Sequence, residues 1–457
     1  MSPEDINFLR SIITPERVTT DIHDDYTHDE MPEYGRFSPH VLVQAKTAKE
    51  VSAVMRYAYQ KNIPVTPRGA GTGLCGGCVP VNGGILLSLA GMNNILELNK
   101  SAMSVTVEPG VILSQLAEYL QEHELLYPPD PGEKTATIGG NCMTNAGGMR
   151  AVALGVTRDY IKSMEVVLPD GEIITLGSDT VKNSSGYSLL HLMIGSEGTL
   201  GIVTKLVLKL LPLPKHFVSL LVPFEDIDLC ARCVPQLLQC SPVTLEYAER
   251  EVLLEAERHL GKPFPHSSAE AYLIVSFYGD SREALEPILD RTAEICMKHG
   301  AIDVFISDTS ERQDAMWGSR GAFLEAIKSS TPAMDECDVV LRIDKVAPFI
   351  TFTKELAQQY QIRIRSFGHA GDGNLHVYVC KDDLADTVWD KRVSAVMDAM
   401  YAKALEMGGQ VSGEHGIGHA KRKYLLESLG DLQIELMRKI KFAFDPKGIL
   451  NPGKIII

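Results

Sequence analysis

The chain has 457 residues, is 45% hydrophobic, and carries 59 acidic against 44 basic residues, for a net charge of −15. That length supports two or three domains. The acidic balance, without a dense Lys/Arg run, argues against a sequence-independent nucleic-acid binder, which needs a positive surface to displace counterions.

Residues 1–36 are polar with two helical hints and read as an N-terminal lead-in. The first seven residues, MSPEDIN, lack the basic and apolar regions of a secretory signal. No apolar stretch nears the roughly 20 residues a transmembrane span takes, so a cytoplasmic protein is expected. From His40 the pattern changes. HVLVQA is a short apolar run. TAKEVSAVMRYAYQKN predicts a helix capped by Thr47, with Glu50 three residues on and Val51, Val54, Met55 and Ala58 on one face. IPVTPRGAGTG reads as a strand entering glycines. GGILLSL, SVTVEPG and MEVVLPDGEIITLG add strands, and Asp170-Gly171 signals a hairpin. VILSQLAEYLQEHEL is amphipathic. Pro212 and Pro214 mark a boundary, after which helices dominate, with strands at AYLIVSFYG and DVVLRIDKV. The expected organisation is α+β: a 37–215 domain, a second α+β domain over 216–410, and a 411–457 segment packing back on the rest. Nine cysteines, an odd number, fit reduced thiols. Of the CxxC pairs, Cys75/Cys78 lies in a glycine-rich loop and Cys230/Cys233 on an amphipathic helix, and both read as packing thiols.

Chemistry first shows in PRGAGTGLCGG, residues 67–77. It matches GxGxxG formally, but CVPVNGG follows and starts no helix, so a dinucleotide fold is excluded. No Gly-Lys-Ser/Thr follows either, which excludes a nucleotide P-loop. A strand leading into glycine-rich backbone remains, able to turn several N–H groups towards an anion. TATIGGNCMTNAGGMR (135–150) and YSLLHLMIGSEGTLGIVTKLVLKL (187–210) repeat the small-residue theme. Three such segments in one domain suggest backbone approaching a long ligand.

Four of the 13 histidines fall between 369 and 419. On one straight strand His369 and His376, seven apart, would face opposite sides; the intervening GDGN permits a hairpin that converges their rings. SGEHGIGHAKRKY adds Glu414, His415 and His419. Two histidines and a carboxylate form a recurrent catalytic metal set. Glu414 and His415, being adjacent, diverge if the segment is extended. His419, ahead of a basic helix, reads as structural.

At these residues the sequence resembles the glycolate oxidase/D-lactate dehydrogenase branch of the vanillyl-alcohol-oxidase flavoprotein superfamily. PHVLVQAKTAKEVSAVMRYA, PRGAGTGLCGG, PPDPGEKTATIGGNCMTNAGG, IGSEGTLGIVT, GHAGDGNLHVYV, SGEHGIG and FDPKGILNPGK occur in order over nearly the whole chain. The resemblance implies an FAD-binding domain of two α+β subdomains and a C-terminal α+β substrate domain that caps the flavin, with the last segment returning to it. Pro67, Arg68, Gly69, Ala70, Gly71, Thr72, Gly73 and Gly76 would hold the FAD pyrophosphate. Gly139, Gly140, Asn141, Thr144 and Gly147 would lie along the cofactor. Glu197, Gly198, Gly201 and Val203 would border the adenosine, and Asn451 the isoalloxazine. The histidine that anchors FAD covalently in some relatives falls near Thr72, which implies non-covalent FAD; Cys75 stands where serine is more usual. His369, His376 and Glu414 would be ligands of a divalent metal (Zn, Fe or Mn), and His415 the base. Arg320 and Arg342, from WGSRGAFLEAI and DVVLRIDK, would clamp the substrate carboxylate, Arg342 standing where some relatives have lysine.

The expected reaction is oxidation of a small D-2-hydroxy acid, lactate or glycolate, to its 2-oxo acid. A motif for NAD, haem or iron–sulfur is not evident, so the expected electron acceptor is a protein, either an electron-transfer flavoprotein or an iron–sulfur subunit. D-2-hydroxyglutarate is the alternative substrate. A flavin electron-transfer subunit with little chemistry of its own, and a flavin-free metal hydrolase, are the alternatives of another class.

Overall fold

A computed structural model describes residues 1–264 and 267–456. The chain divides into two compact units. Unit 1 is built from residues 1–147, 156–213 and 414–457, and unit 2 from residues 148–155 and 214–413. Among the described residues, no helix is long and apolar enough to cross a membrane.

Unit 1 holds two main sheets. Strands β1 (Val18–Thr19), β2 (Val41–Gln44), β3 (Val65–Arg68) and β4 (Ile85–Ser88) lie in the order β1-β2-β4-β3. β4 pairs parallel with both β2 and β3. The crossover between β2 and β3 is the helix Ala48–Lys61, whose N-cap Thr47 accepts the Glu50 N–H. Its periodicity is realised, with Val51, Val54, Met55 and Ala58 all buried. The Glu50 carboxylate turns away from the cap to Arg17, at 2.7 Å. Arg17 belongs to the supposed lead-in, which is structural: Leu9, Ile13 and Val18 enter the same hydrophobic cluster as β2 to β4.

β5 (Ile95–Asn99), β6 (Ser104–Val107), β8 (Ile161–Val167), β9 (Ile173–Gly177) and β10 (Ile202–Lys209) form an antiparallel sheet of order β5-β6-β10-β8-β9. β7 (Leu125–Leu126) pairs apart with β11 (Leu211–Pro212). The larger sheet packs the helix Leu113–Gln121 in a second cluster around Val107, Leu116, Leu120, Met164 and Leu206. Asp170-Gly171 closes the predicted β8–β9 hairpin.

Unit 2 is organised on one seven-stranded sheet. Its strands are β12 (His216–Phe224), β13 (Thr244–Glu249), β14 (Ala271–Gly279), β15 (Phe305–Ser307), β16 (Met334–Val340), β17 (Arg363–His369) and β18 (Asn374–Cys380). They run in the order β15-β12-β14-β13-β17-β18-β16. The expected strand DVVLRIDKV stops at Val340; a short 3-10 turn, Ile343–Lys345, follows. Cys230 and Cys233 are buried on the helix Ile227–Leu237, and the chain's cysteines are free thiols.

Candidate active site

In unit 1 the glycine-rich segment leaves β3 at Arg68. The Arg68 guanidinium is held by backbone carbonyls. Its Nη1 and Nη2 donate to the carbonyls of His28 and Asp25 at 2.8 and 2.7 Å. The backbone N–H groups from Gly69 to Leu74 meet no acceptor among the described residues. Such a run of unpaired amides fits a diphosphate, which accepts several N–H bonds at once. The Gly76 amide is already used, donating to the buried Asp29 Oδ2 at 2.5 Å.

The other small-residue segments come to the same place. A Cβ on Gly69 would stand 2.3 Å from Thr137 Oγ1, so only glycine lets this backbone reach the N-cap of the helix Ile138–Thr144. That helix carries Gly139, Gly140, Asn141 and Thr144. The Asn141 side chain is buried and its Nδ2 has no partner among the described residues, a donor suited to a bound polar group. The Glu197 N–H donates to Met143 O at 2.8 Å. A Cβ on Gly198 would stand 2.6 Å from Pro67 Cγ. Asn451 closes the group, its Nδ2 donating to Gly77 O at 2.8 Å and Glu197 O at 2.7 Å. Gly201 and Val203 are placed differently. Gly201 packs on Val166 and Met193, and Val203 is buried in the hydrophobic cluster.

The Glu197 carboxylate is also committed, accepting the N–H groups of Ile417 and Gly418 at 2.7 and 2.6 Å and so fastening the SGEHGIGH segment. Burial pushes its pKa up, opposed by those two amides. Glu414 lies against Gly147, where a Cβ would be 2.9 Å from Glu414 Oε2. Its neighbour does not diverge as an extended segment requires: His415 Nε2 is 3.6 Å from Glu414 Oε1, because the chain bends here.

In unit 2 the β17–β18 hairpin brings the two histidines together. Phe367 pairs with His376, and His369 with Asn374. Side chains two apart on a strand share a face, so His369 becomes the diagonal neighbour of His376. Their Nε2 atoms are 3.5 Å apart with the rings perpendicular. Both are buried, as are Glu246 on β13 and Glu336 and Asp338 on β16. Glu246 Oε1 is 2.7 Å from His369 Nδ1, while Arg320 Nε and Nη2 donate to Glu246 Oε2 at 2.9 and 2.6 Å. Asp338 accepts Asn374 Nδ2, Ser412 Oγ and the Gly413 N–H at 2.7, 2.8 and 2.9 Å. Burial would raise the Glu246 carboxyl, but His369 and Arg320 hold it below the usual range. Arg342 is not drawn into this group: its side chain is 72% exposed and paired with Asp344.

The family model for the C-terminal domain of FAD linked oxidases matches residues 213–455, and that for an FAD binding domain matches residues 39–177. A D-lactate dehydrogenase of Anaerostipes hadrus is 50% identical over 100% of this chain and 98% of its own length. A glycolate oxidase subunit of Bacillus subtilis is 37% identical over 94% of this chain and 91% of its own. This chain belongs to the FAD-linked oxidases. Its backbone also matches p-cresol methylhydroxylase with a TM-score of 0.83 at 20% identity, over 99% and 96% of the two chains, so the two share a fold.

As an FAD-linked oxidoreductase of the D-lactate dehydrogenase/glycolate oxidase type, the chain shows groups that the sequence reading passed over. Glu246, Glu336 and Asp338 are three of them. MDECDVV carried a signal, since acidic residues alternating in an apolar strand share one buried face. Glu246 in VTLEYAE looked like a lone charge. Asp29, in the supposed lead-in, is the fourth.

Proposed function

We propose that this flavoenzyme oxidises a small D-2-hydroxy acid, D-lactate or glycolate, to the 2-oxo acid, using non-covalent FAD and one divalent cation (Zn, Fe or Mn). The observation that carries the metal is the pair of buried imidazoles in unit 2, His369 and His376, whose Nε2 atoms converge to 3.5 Å among buried carboxylates. Three buried carboxylates, Glu246, Glu336 and Asp338, face one buried guanidinium, Arg320, around two imidazoles.

His369 and His376 would hold the ion. Glu414 would be the third ligand by the family's motif. Bound there, the cation would supply Lewis acidity to the substrate hydroxyl, and FAD in unit 1 would accept the hydride. His415 takes the hydroxyl proton as the general base. Arg342, with an exposed guanidinium, meets the substrate carboxylate through charge-assisted hydrogen bonds. Electrons leave to a protein acceptor, an electron-transfer flavoprotein or an iron–sulfur subunit, and the compartment is the cytoplasm.

The test is anaerobic flavin bleaching by D- and L-lactate, glycolate and D-2-hydroxyglutarate. It would be run on the protein as purified, after chelation, and after resupply of each metal. D-lactate or glycolate should bleach the flavin, chelation should abolish this, and one metal should restore it. His415→Ala should slow bleaching by about 10²–10⁴-fold. Bleaching indifferent to chelation and to His415→Ala would overturn the proposal.

A further inference from the structure

Arg320 stood in the sequence as a substrate clamp, yet its guanidinium is 8% exposed and faces inward. Nε and Nη2 converge on Glu246 Oε2, and the group lies over the Phe367 ring, 4.7 Å from its centroid. The other oxygen of the same carboxylate is 2.7 Å from His369 Nδ1. Glu246 is thus bonded on both oxygens, within one unit, to two residues that the sequence suggested for separate tasks.

We infer that Glu246 is a positioning residue: it fixes His369 in the Nδ1–H tautomer with Nε2 turned towards His376, and Arg320 holds that carboxylate in place. An ionised carboxylate only accepts hydrogen bonds. With two Arg320 donors on Oε2, Oε1 is left to accept, and the proton between it and the ring sits on Nδ1. The Nε2 lone pair then points to the place where the His376 Nε2 also arrives, 3.5 Å away. A carboxylate behind a ligating histidine fixes the ring's tautomer and orientation and raises its basicity as a ligand. Arg320 keeps that carboxylate from swinging out of line, and the packing of Phe367 against both Arg320 and His376 holds the frame.

This inference rests on the metal reading above, so its test has two independent arms. Glu246→Gln keeps the side-chain size, but its NH₂ must face either the Arg320 donors or Nδ1. The first opposes donor to donor. The second drives the ring to the Nε2–H tautomer. In full-length, FAD-loaded, chelator-treated protein, ¹⁵N-histidine spectra, assigned with His369→Gln, should show His369 as Nδ1–H in the native chain and a substantial Nε2–H population in Glu246→Gln. In zinc titrations the variant should bind about 10–100-fold more weakly, and Glu246→Asp, which keeps an ionised acceptor, should recover part of the loss. Flavin content, set in unit 1, serves as the folding control. Wild-type zinc affinity in a fully flavinated Glu246→Gln protein, or an unchanged tautomer, overturns the inference. If the native chain takes up no divalent metal, the metal reading fails, and the tautomer spectra alone decide the role of Glu246.

Discussion

Asn451 concentrates several demands in one side chain. It is 1% exposed and sits at φ 44°, a left-handed conformation that asparagine tolerates better than most residues. Its amide N–H donates to Val65 O at 2.7 Å, and its Nδ2 bridges the carbonyls of Gly77 and Glu197. Two backbone segments expected to carry the cofactor are thereby held by one NH₂ group. Asn451→Ala leaves both buried carbonyls short of a donor, a loss of about 1–3 kcal/mol. Asn451→Asp is worse, because a carboxylate then faces two carbonyl oxygens. Flavin retained through gel filtration, measured by the ratio of flavin to protein absorbance, should fall in the order Asn, Ala, Asp. Full flavin occupancy in Asn451→Asp would show that the bridge is not needed to hold the cofactor.

The loop between β3 and β4 is gripped from two sides, by groups whose titrations oppose each other. Asp29 accepts the Gly76 N–H, and burial lifts its pKa to about 6 against the pull of its amide partners and Arg68. A carboxyl raised in the fold adds stability as pH falls from about 6 towards its unfolded value near 3.8. His419 packs on Gly76 from the other side, its pKa lowered to about 4 by burial, then by Lys454 and Arg422. Its contribution is present above the unfolded value of 6.5 and lost as pH falls through about 4. For the buried Asp29 the effect is at most about 3 kcal/mol, and solvent screening makes that of the part-exposed His419 smaller. Urea melts between pH 7 and 4.5 should show a shallower acid loss in His419→Gln and a steeper one in Asp29→Asn; parallel slopes in all three proteins would refute this balance. At this scale much was legible in the sequence. Thr47 and the Val51/Val54/Met55/Ala58 stripe gave their helix because capping and period are local. The GDGN turn gave the histidine hairpin for the same reason. Asp29 and Glu246 were not legible, since each earns its place through partners 47 and 123 residues away, and local pattern carries no record of such pairings. Arg342 and Arg320 were read alike from their flanking residues, yet one is exposed and the other is bound into a buried ion pair.

Unit 1 as a whole is made from three stretches of chain, and the last, 414–457, completes it. Leu450 forms a parallel bridge with Val65, extending the β3 edge of the first sheet. Two buried lysines fasten the same stretch. Lys441 Nζ donates to Thr199 O, Leu450 O and Asp445 Oδ2 at 2.7, 2.8 and 2.7 Å, and Lys454 Nζ donates to Val79 O at 2.6 Å. Burial lowers the pKa of both, Lys454 to about 8, so each is held by its acceptors against the cost of burying an ammonium group. Contacts this distant in sequence form late and are cooperative with everything they close. A chain ending at residue 413 should therefore lose more than its tail. The edge at Val65, the carbonyls of Val79 and Thr199, and the carboxylate of Glu197 would lose their partners together. The truncated protein should purify without flavin. It should keep part of its far-ultraviolet dichroism from unit 2 and melt in a weaker transition below that of the full chain. Stoichiometric FAD and a single transition at the full-length Tm would mean that unit 1 is stable without its closing segment, contrary to the dependence its hydrogen bonds imply.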